Sequence, residues 1–169
     1  RLSTTLAVSN LTLNPTSVAG GASSTGTVTL TGPAPAGGSV VTLASNNAAA
    51  TIPATVSVAQ SATSATFTIT TTAVASAVSP IITATLGASS KTATLTVNPP
   101  VLSTLVASAA NVIGGKQIRL TANLGSVAPS GGTSVALTST DTNALPVPVS
   151  ISIAAGATSG DVLVTSGVV

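Results

Sequence analysis

Apolar and hydroxyl-bearing side chains alternate along most of this chain with a period of two. In Thr27-Val28-Thr29-Leu30-Thr31 the apolar residues point one way and the threonines the other, the geometry of a half-buried β-strand. The same alternation runs through residues 41–43, 55–58, 66–70, 82–86 and 92–97, and Leu11 and Leu13 open the series. These segments predict seven short strands, each with one face in a core and the other in water, as antiparallel sheets arrange them. Threonine suits the wet face because it is β-branched, stiff at χ1, and carries a hydroxyl for the solvent. No stretch has apolar residues at i, i+3, i+4 and i+7, so essentially no helix is expected. Gly20-Gly21, Gly32-Pro33, Pro35-Ala36-Gly37-Gly38, Asn46-Asn47, Gln60-Ser61 and Gly87-Ala88-Ser89-Ser90 supply the turns. Strands punctuated at this spacing predict two packed sheets.

The pattern then repeats. Leu11 falls on Leu105, Gly20-Gly21 on Gly114-Gly115, Pro35 on Pro129, Gly37-Gly38 on Gly131-Gly132, and Leu43 on Leu137. After one inserted residue, Pro53 falls on Pro148, Val56-Ser57-Val58-Ala59 on Ile151-Ser152-Ile153-Ala154, and Val74 on Val169. Self-similarity over this length is the mark of tandem domains. Asn98-Pro99-Pro100 forms the natural joint, since consecutive prolines cannot donate ladder hydrogen bonds and favour an extended, semi-rigid chain.

The expected organisation is all-β. An N-terminal segment (1–10) is a possible donor or linker strand, followed by an immunoglobulin-like sandwich of seven strands (11–98) and a Pro-rich linker (99–101). A second, incomplete sandwich (102–169) has strands expected near 118–122, 135–137, 149–153 and 162–164. The cysteine pair and tryptophan of antibody domains are missing, so only the broader sandwich class is expected. Module one has two strands beyond Val74 that find no counterpart in module two. A sandwich without them exposes core side chains and an open sheet edge. Three arrangements answer this: a section of a longer array, strands supplied by a neighbouring subunit, or a reduced sandwich in its own right. Leu2, Leu6 and Val8 make residues 1–10 a donor candidate, although one donor fills one strand and two are lacking.

Composition narrows the chemistry. The 169 residues include no cysteine, histidine, methionine, tryptophan, tyrosine or glutamate, and Phe67 is the only aromatic. The charges are Arg1, Lys91, Lys116, Arg119, Asp141 and Asp161, for a net charge of +2. No basic patch interleaved with aromatics is present, so nucleic-acid binding is not expected. Thr, Ser or Gly interrupts every apolar run before the roughly 20 residues that a spanning helix needs. Asp141 aligns near Asn47 and reads as a turn former, and Asp161 aligns with Thr66 as a solvated residue at a strand start. Without histidine or cysteine, general acid–base and serine-type catalysis have no partners to work with, and no enzyme is expected. Zinc ligands are lacking, and two aspartates do not make a calcium cage, so no cofactor or metal is expected. Lys91 and Lys116 read as solubilising edge charges, with no acid placed to catalyse an isopeptide cross-link. Asn10-Leu11-Thr12 fits a glycosylation sequon, a match that arises easily in a threonine-rich chain. Phe67 aligns with Val162 on the buried face and reads as core rather than as a sugar-stacking platform.

The runs at 11–21, 26–38 and 40–46, with the closing Lys91-Thr92-Ala93-Thr94-Leu95-Thr96-Val97, resemble bacterial immunoglobulin-like (Big-type) repeats. The resemblance covers nearly all of module one and the start of module two. It departs at Asn111-Val112-Ile113, where module one has Thr16-Ser17-Val18 before the diglycine. It implies tandem sandwiches in a large secreted or cell-surface protein. The function expected is that of a structural subunit or segment of an extracellular filament, stalk or adhesin array, self-associating with identical subunits or neighbouring modules. The alternative is a spacer in a secreted multidomain enzyme or receptor.

Overall fold

The computed structural model describes residues 5–168, and the chain divides into two compact units, the first running to Asn98 and the second from Pro99, with Ala73–Ala75 grouped with the second. Among the described residues the regular structure is all strand. Among those residues no helix is long and apolar enough to cross a membrane.

Unit one contains β1 (Val8–Asn14), β2 (Ser17–Ala19), β3 (Ser23–Leu30), β4 (Ser39–Ser45), β5 (Ala50–Thr51), β6 (Thr55–Val58), β7 (Ser64–Thr71), β8 (Ile81–Leu86), β9 (Ser89–Thr94) and β10 (Thr96–Asn98). One sheet has the order β1-β3-β7-β5 and the other β6-β4-β8-β9, and β10 pairs with β2 in parallel. Alternation becomes burial. Val28 and Ile69 from the first sheet are sealed from solvent together with Val41, Val58, Ile82 and Ala84 from the second. Strand β1 lies against β8 and β9 of the opposite sheet, which buries Val8, Leu11 and Leu13.

Each of the seven strands expected for this unit is present, with three differences. The run 92–97 splits at the buried Leu95: β9 pairs with β8, then the chain crosses to β2, with Leu95 N–H donating to Pro80 O and Thr96 N–H to Thr16 O. The turn expected at 87–90 is shorter, because Ser89 and Ser90 already pair with Leu86 and Thr85. Strand β1 also begins at Val8 rather than Leu11. Residues 8–10 therefore belong to this unit's own sheet, where Val8 is buried. Residues 1–4, with the donor candidate Leu2, lie outside the described residues.

The diglycine turns at 37–38 and 131–132 each place two consecutive residues in the left-handed region. Gly38 has φ +80°, and a Cβ there would stand 2.7 Å from Val58 O. Its repeat counterpart Gly132 has φ +77° and would meet Ile153 O at 2.6 Å. Gly38→Ala is therefore expected to destabilise unit one by about 3 kcal/mol through combined backbone strain and steric overlap, read as a lower urea midpoint by circular dichroism. Ser61 is the converse case. It has φ 67° where the counterpart Gly156 has φ 75°, and each closes a turn, Ala62 N–H to Ala59 O and Ala157 N–H to Ala154 O. Ser61→Gly is expected to raise stability by about 0.5 kcal/mol, the strain relieved less the entropy glycine loses.

Unit two contains β11 (Leu102–Ala107), β12 (Gln117–Leu124), β13 (Thr133–Ala136), β14 (Ser150–Ile153) and β15 (Ser159–Thr165). They form a three-stranded sheet, β11-β12-β15, and a two-stranded one, β13-β14. Its core is Ile118, Leu120, Ala122, Leu124, Ala128, Leu137, Ile151, Ile153 and Val164. The inserted residue sits in the turn after Asp141. Module one closes this turn from Ala50 N–H to Asn47 O, whereas module two closes it one residue later, from Leu145 N–H to Asp141 O. Strand β5 has no counterpart because Thr51 is replaced by Pro146, which lacks the N–H a ladder requires.

Candidate functional site: the open face of module two

The charged residues are dispersed. Asp141 Oδ1 accepts Asn143 N–H and Ala144 N–H, each at 3.0 Å, as Asn47 Oδ1 accepts Ala49 N–H at 2.8 Å in the first copy. It is a turn former. Asp161 pairs with Arg119 at 2.6 Å, with both side chains about half exposed, an ion pair worth at most about 1 kcal/mol. The alignment gave Asp161 no partner, because Arg119 stands where module one has Thr25. The signal available was the pairing of two strands by register, which sets Arg119 diagonally across from Asp161. Lys91 on β9 and Lys116 beside β12 are exposed. Asn10 is exposed on β1, and Phe67 is 6% exposed on β7 in the core. Among the described residues no three His, Cys, Asp or Glu side chains cluster as metal ligands would.

What the fold does concentrate is unpartnered sheet. In unit one β4 pairs with β6 on one side and β8 on the other, the β8 pairs being Thr42 with Thr85, Leu43 with Ala84, Ala44 with Thr83 and Ser45 with Ile82. In unit two β13 pairs with β14 alone, and it stops at Ala136. Its counterpart β4 runs three residues further, through the stretch that β8 holds. Residues 137–139, which have no such neighbour, leave the extended ladder. Strand length here follows from the presence of a partner rather than from local sequence.

The same lack strips the inner face of β11. Val8 and Leu11 are 3% and 5% exposed beneath β8 and β9, whereas their counterparts Leu102 and Leu105 are 48% and 49% exposed. At the far end, Val18 pairs in register with the fully buried Val97, while residues 111–113 belong to no strand and Ile113 is 78% exposed. A recess of about 220 Å³ opens there, lined by Val112, Ile118 and Leu145 among others. Neutral backbone and aliphatic side chains of this kind have no acid–base or ligating chemistry. They can accept main-chain hydrogen bonds along an edge and bury apolar side chains over a face.

No model of a known protein family matches this chain, and no curated protein matches it.

Proposed function

We propose that the chain is a structural segment of an extracellular or cell-surface filament, stalk or adhesin-like array, built from tandem immunoglobulin-like sandwiches and working by projection and self-association. The observation that carries this reading is the repeat itself: two compact all-strand units in tandem, joined at Asn98-Pro99. A net charge of +2 offers little repulsion to self-association.

The sandwich assignment has its own support. With β1, β3, β4, β7, β8 and β9 taken as strands A, B, C, E, F and G, one sheet of module one reads A-B-E and the other C-F-G, the partition of an immunoglobulin-like domain. The resemblance to Big-type repeats in 11–21, 26–38, 40–46 and 91–97 points the same way. Hydroxyl-covered outer strands and the Asn98-Pro99-Pro100 joint fit units strung in series outside a cell.

Electron microscopy of the native material tests the reading. Filaments with an axial period of one or two modules are expected, and isolated globular particles would count against it. The filaments are also expected to survive EDTA. Of the two carboxylate side chains in the sequence, Asp141 is engaged by its own turn and Asp161 by Arg119. Dissolution by the chelator would contradict a metal-independent assembly.

A further inference from the structure

We propose that the outer face of module two's three-stranded sheet is a self-complementary docking surface, which pairs with the same face of a second copy of this chain about a two-fold axis. Such a surface gives the self-association proposed above a place, and it rests on that reading.

In module one the outer face of β1, β3 and β7 is an unbroken field of hydroxyls and amides. Thr12, Thr27 and Thr66 stand side by side in one row, and Asn14, Thr25 and Thr68 in the next. Module two changes four of these positions, all of them neighbours. Val106 stands in place of Thr12, Arg119 of Thr25, Asp161 of Thr66 and Leu163 of Thr68. Register places Val106, Thr121 and Asp161 in one row and Arg119 beside Leu163 in the next. Val106 is 50% exposed and Leu163 53%, and the side chains of Arg119 and Asp161 are 54% and 45% exposed. This exposure belongs to the outward side of the sheet. The four threonines at the matching positions are exposed in module one too, where the opposite sheet has all its strands. Single apolar residues on a wet face are ordinary, but here two of them flank an ion pair at adjacent positions.

The arrangement selects the occupant. Neighbouring strands stand about 4.8 Å apart, and alternate residues along a strand about 6.8 Å apart. On that grid Val106 and Leu163 mark a diagonal, and Arg119 and Asp161 lie on opposite sides of it at nearly the same distance along it. A two-fold axis laid along the diagonal sets Val106 and Leu163 against their own copies and brings each Arg119 beside the partner's Asp161. Two half-exposed ion pairs then become an alternating ring of four charges, the networked arrangement in which surface pairs contribute most. Thr104, Gln117, Asn123, Ser159 and Thr165 surround the apolar pair, giving the apolar centre and polar rim of a protein interface. A partner of one charge sign would set Arg119 or Asp161 against its like, whereas the same face turned over satisfies both. The strands of the two sheets cross steeply, nearer the orthogonal than the aligned mode of sheet packing. Contact is thus confined to the centre of three short strands, so one pair of faces binds weakly and gains strength where copies are repeated.

The test uses the full chain and two charge variants. Arg119→Asp makes the face negative at both positions, and Asp161→Arg makes it positive at both. Both side chains are about half exposed, so each variant is expected to keep the parent's circular dichroism. Sedimentation equilibrium is expected to show a reversible dimer for the parent, and self-association at least about tenfold weaker for either variant alone. Mixing the two variants is expected to restore it, because every charge on one face then meets its opposite on the other. Leu163→Cys adds the only thiol to a chain without cysteine. Under air with a copper catalyst it is expected to give a disulfide-linked dimer about tenfold faster than Thr68→Cys, the matching change in module one. A monomeric parent, variants that associate as the parent does, or a mixture no stronger than either variant alone overturns the proposal, as does equal cross-linking at positions 163 and 68. Filaments also depend on contacts along the chain, so loss of this dimer leaves the filament reading standing, and absence of filaments leaves the dimer standing.

Discussion

Gly26→Leu is expected to destabilise module one strongly, and adding Phe67→Val is expected to restore most of the loss. Gly26 lies in β3 directly across from Phe67 in β7, and the phenyl ring fills the space a side chain would occupy. A Cβ at position 26 would stand 2.6 Å from Cε1 and 2.7 Å from Cε2. At the equivalent cross-strand pair, module two has Leu120 opposite Val162. One module gives all the side-chain volume to one partner, and the other divides a similar volume between two. Gly26→Leu alone overpacks the core and is expected to cost about 3 kcal/mol. Phe67→Val alone leaves a cavity and is expected to cost about 2–3 kcal/mol. The double variant conserves volume and is expected within about 1.5 kcal/mol of the parent. The implied coupling, at least about 3.5 kcal/mol, is large for a single contacting pair. Urea unfolding by circular dichroism, with hydrogen exchange of β3 and β7 to isolate module one, gives the four corners of the cycle. A double variant no more stable than the worse single would refute the pairing argument.

The second large effect is a contrast between copies. Leu11→Ala is expected to cost about 2–5 kcal/mol, because Leu11 is 5% exposed and its removal opens a cavity under β9. Leu105→Ala, at the matching position, is expected to cost less than about 1 kcal/mol, because Leu105 is 49% exposed and leaves no enclosed space. Unfolding followed by exchange at β3 for one variant and β12 for the other measures both. Equal costs would show that in solution β11 is covered.

Most of the strand pattern was legible because burial in a sheet has the same period as the alternation of Thr with Val, Ile and Leu. Segment 55–58 agrees with β6 at both ends. Strands β2 and β5, three and two residues long, were not legible: neither is long enough to show a period, and each exists only because a distant segment pairs with it. The same dependence explains β13. Residues 135–137 alternate well, yet the strand ends at Ala136 because what would hold the rest is another strand, not the local sequence. The absence of counterparts to β8 and β9 could be read from the alignment. That this would bare Leu102 and Leu105 required the sheet order, since it is β8 and β9 that shelter β1. The Arg119–Asp161 pair was likewise invisible until register set the two residues diagonally across neighbouring strands.

Adjacent copies of similar sequence run a hazard while they fold, because a strand of one can recruit the matching strand of its neighbour. The unlike division of volume between the two copies works against that error. Pairing β3 with β15 would set Gly26 opposite Val162 and leave a void, and pairing β12 with β7 would crowd Leu120 against Phe67. Each crossed product carries a packing fault that the correct partnership lacks. The divergence at these two positions thus acts as a proofreading device, keeping neighbouring repeats from knitting into one another as they emerge.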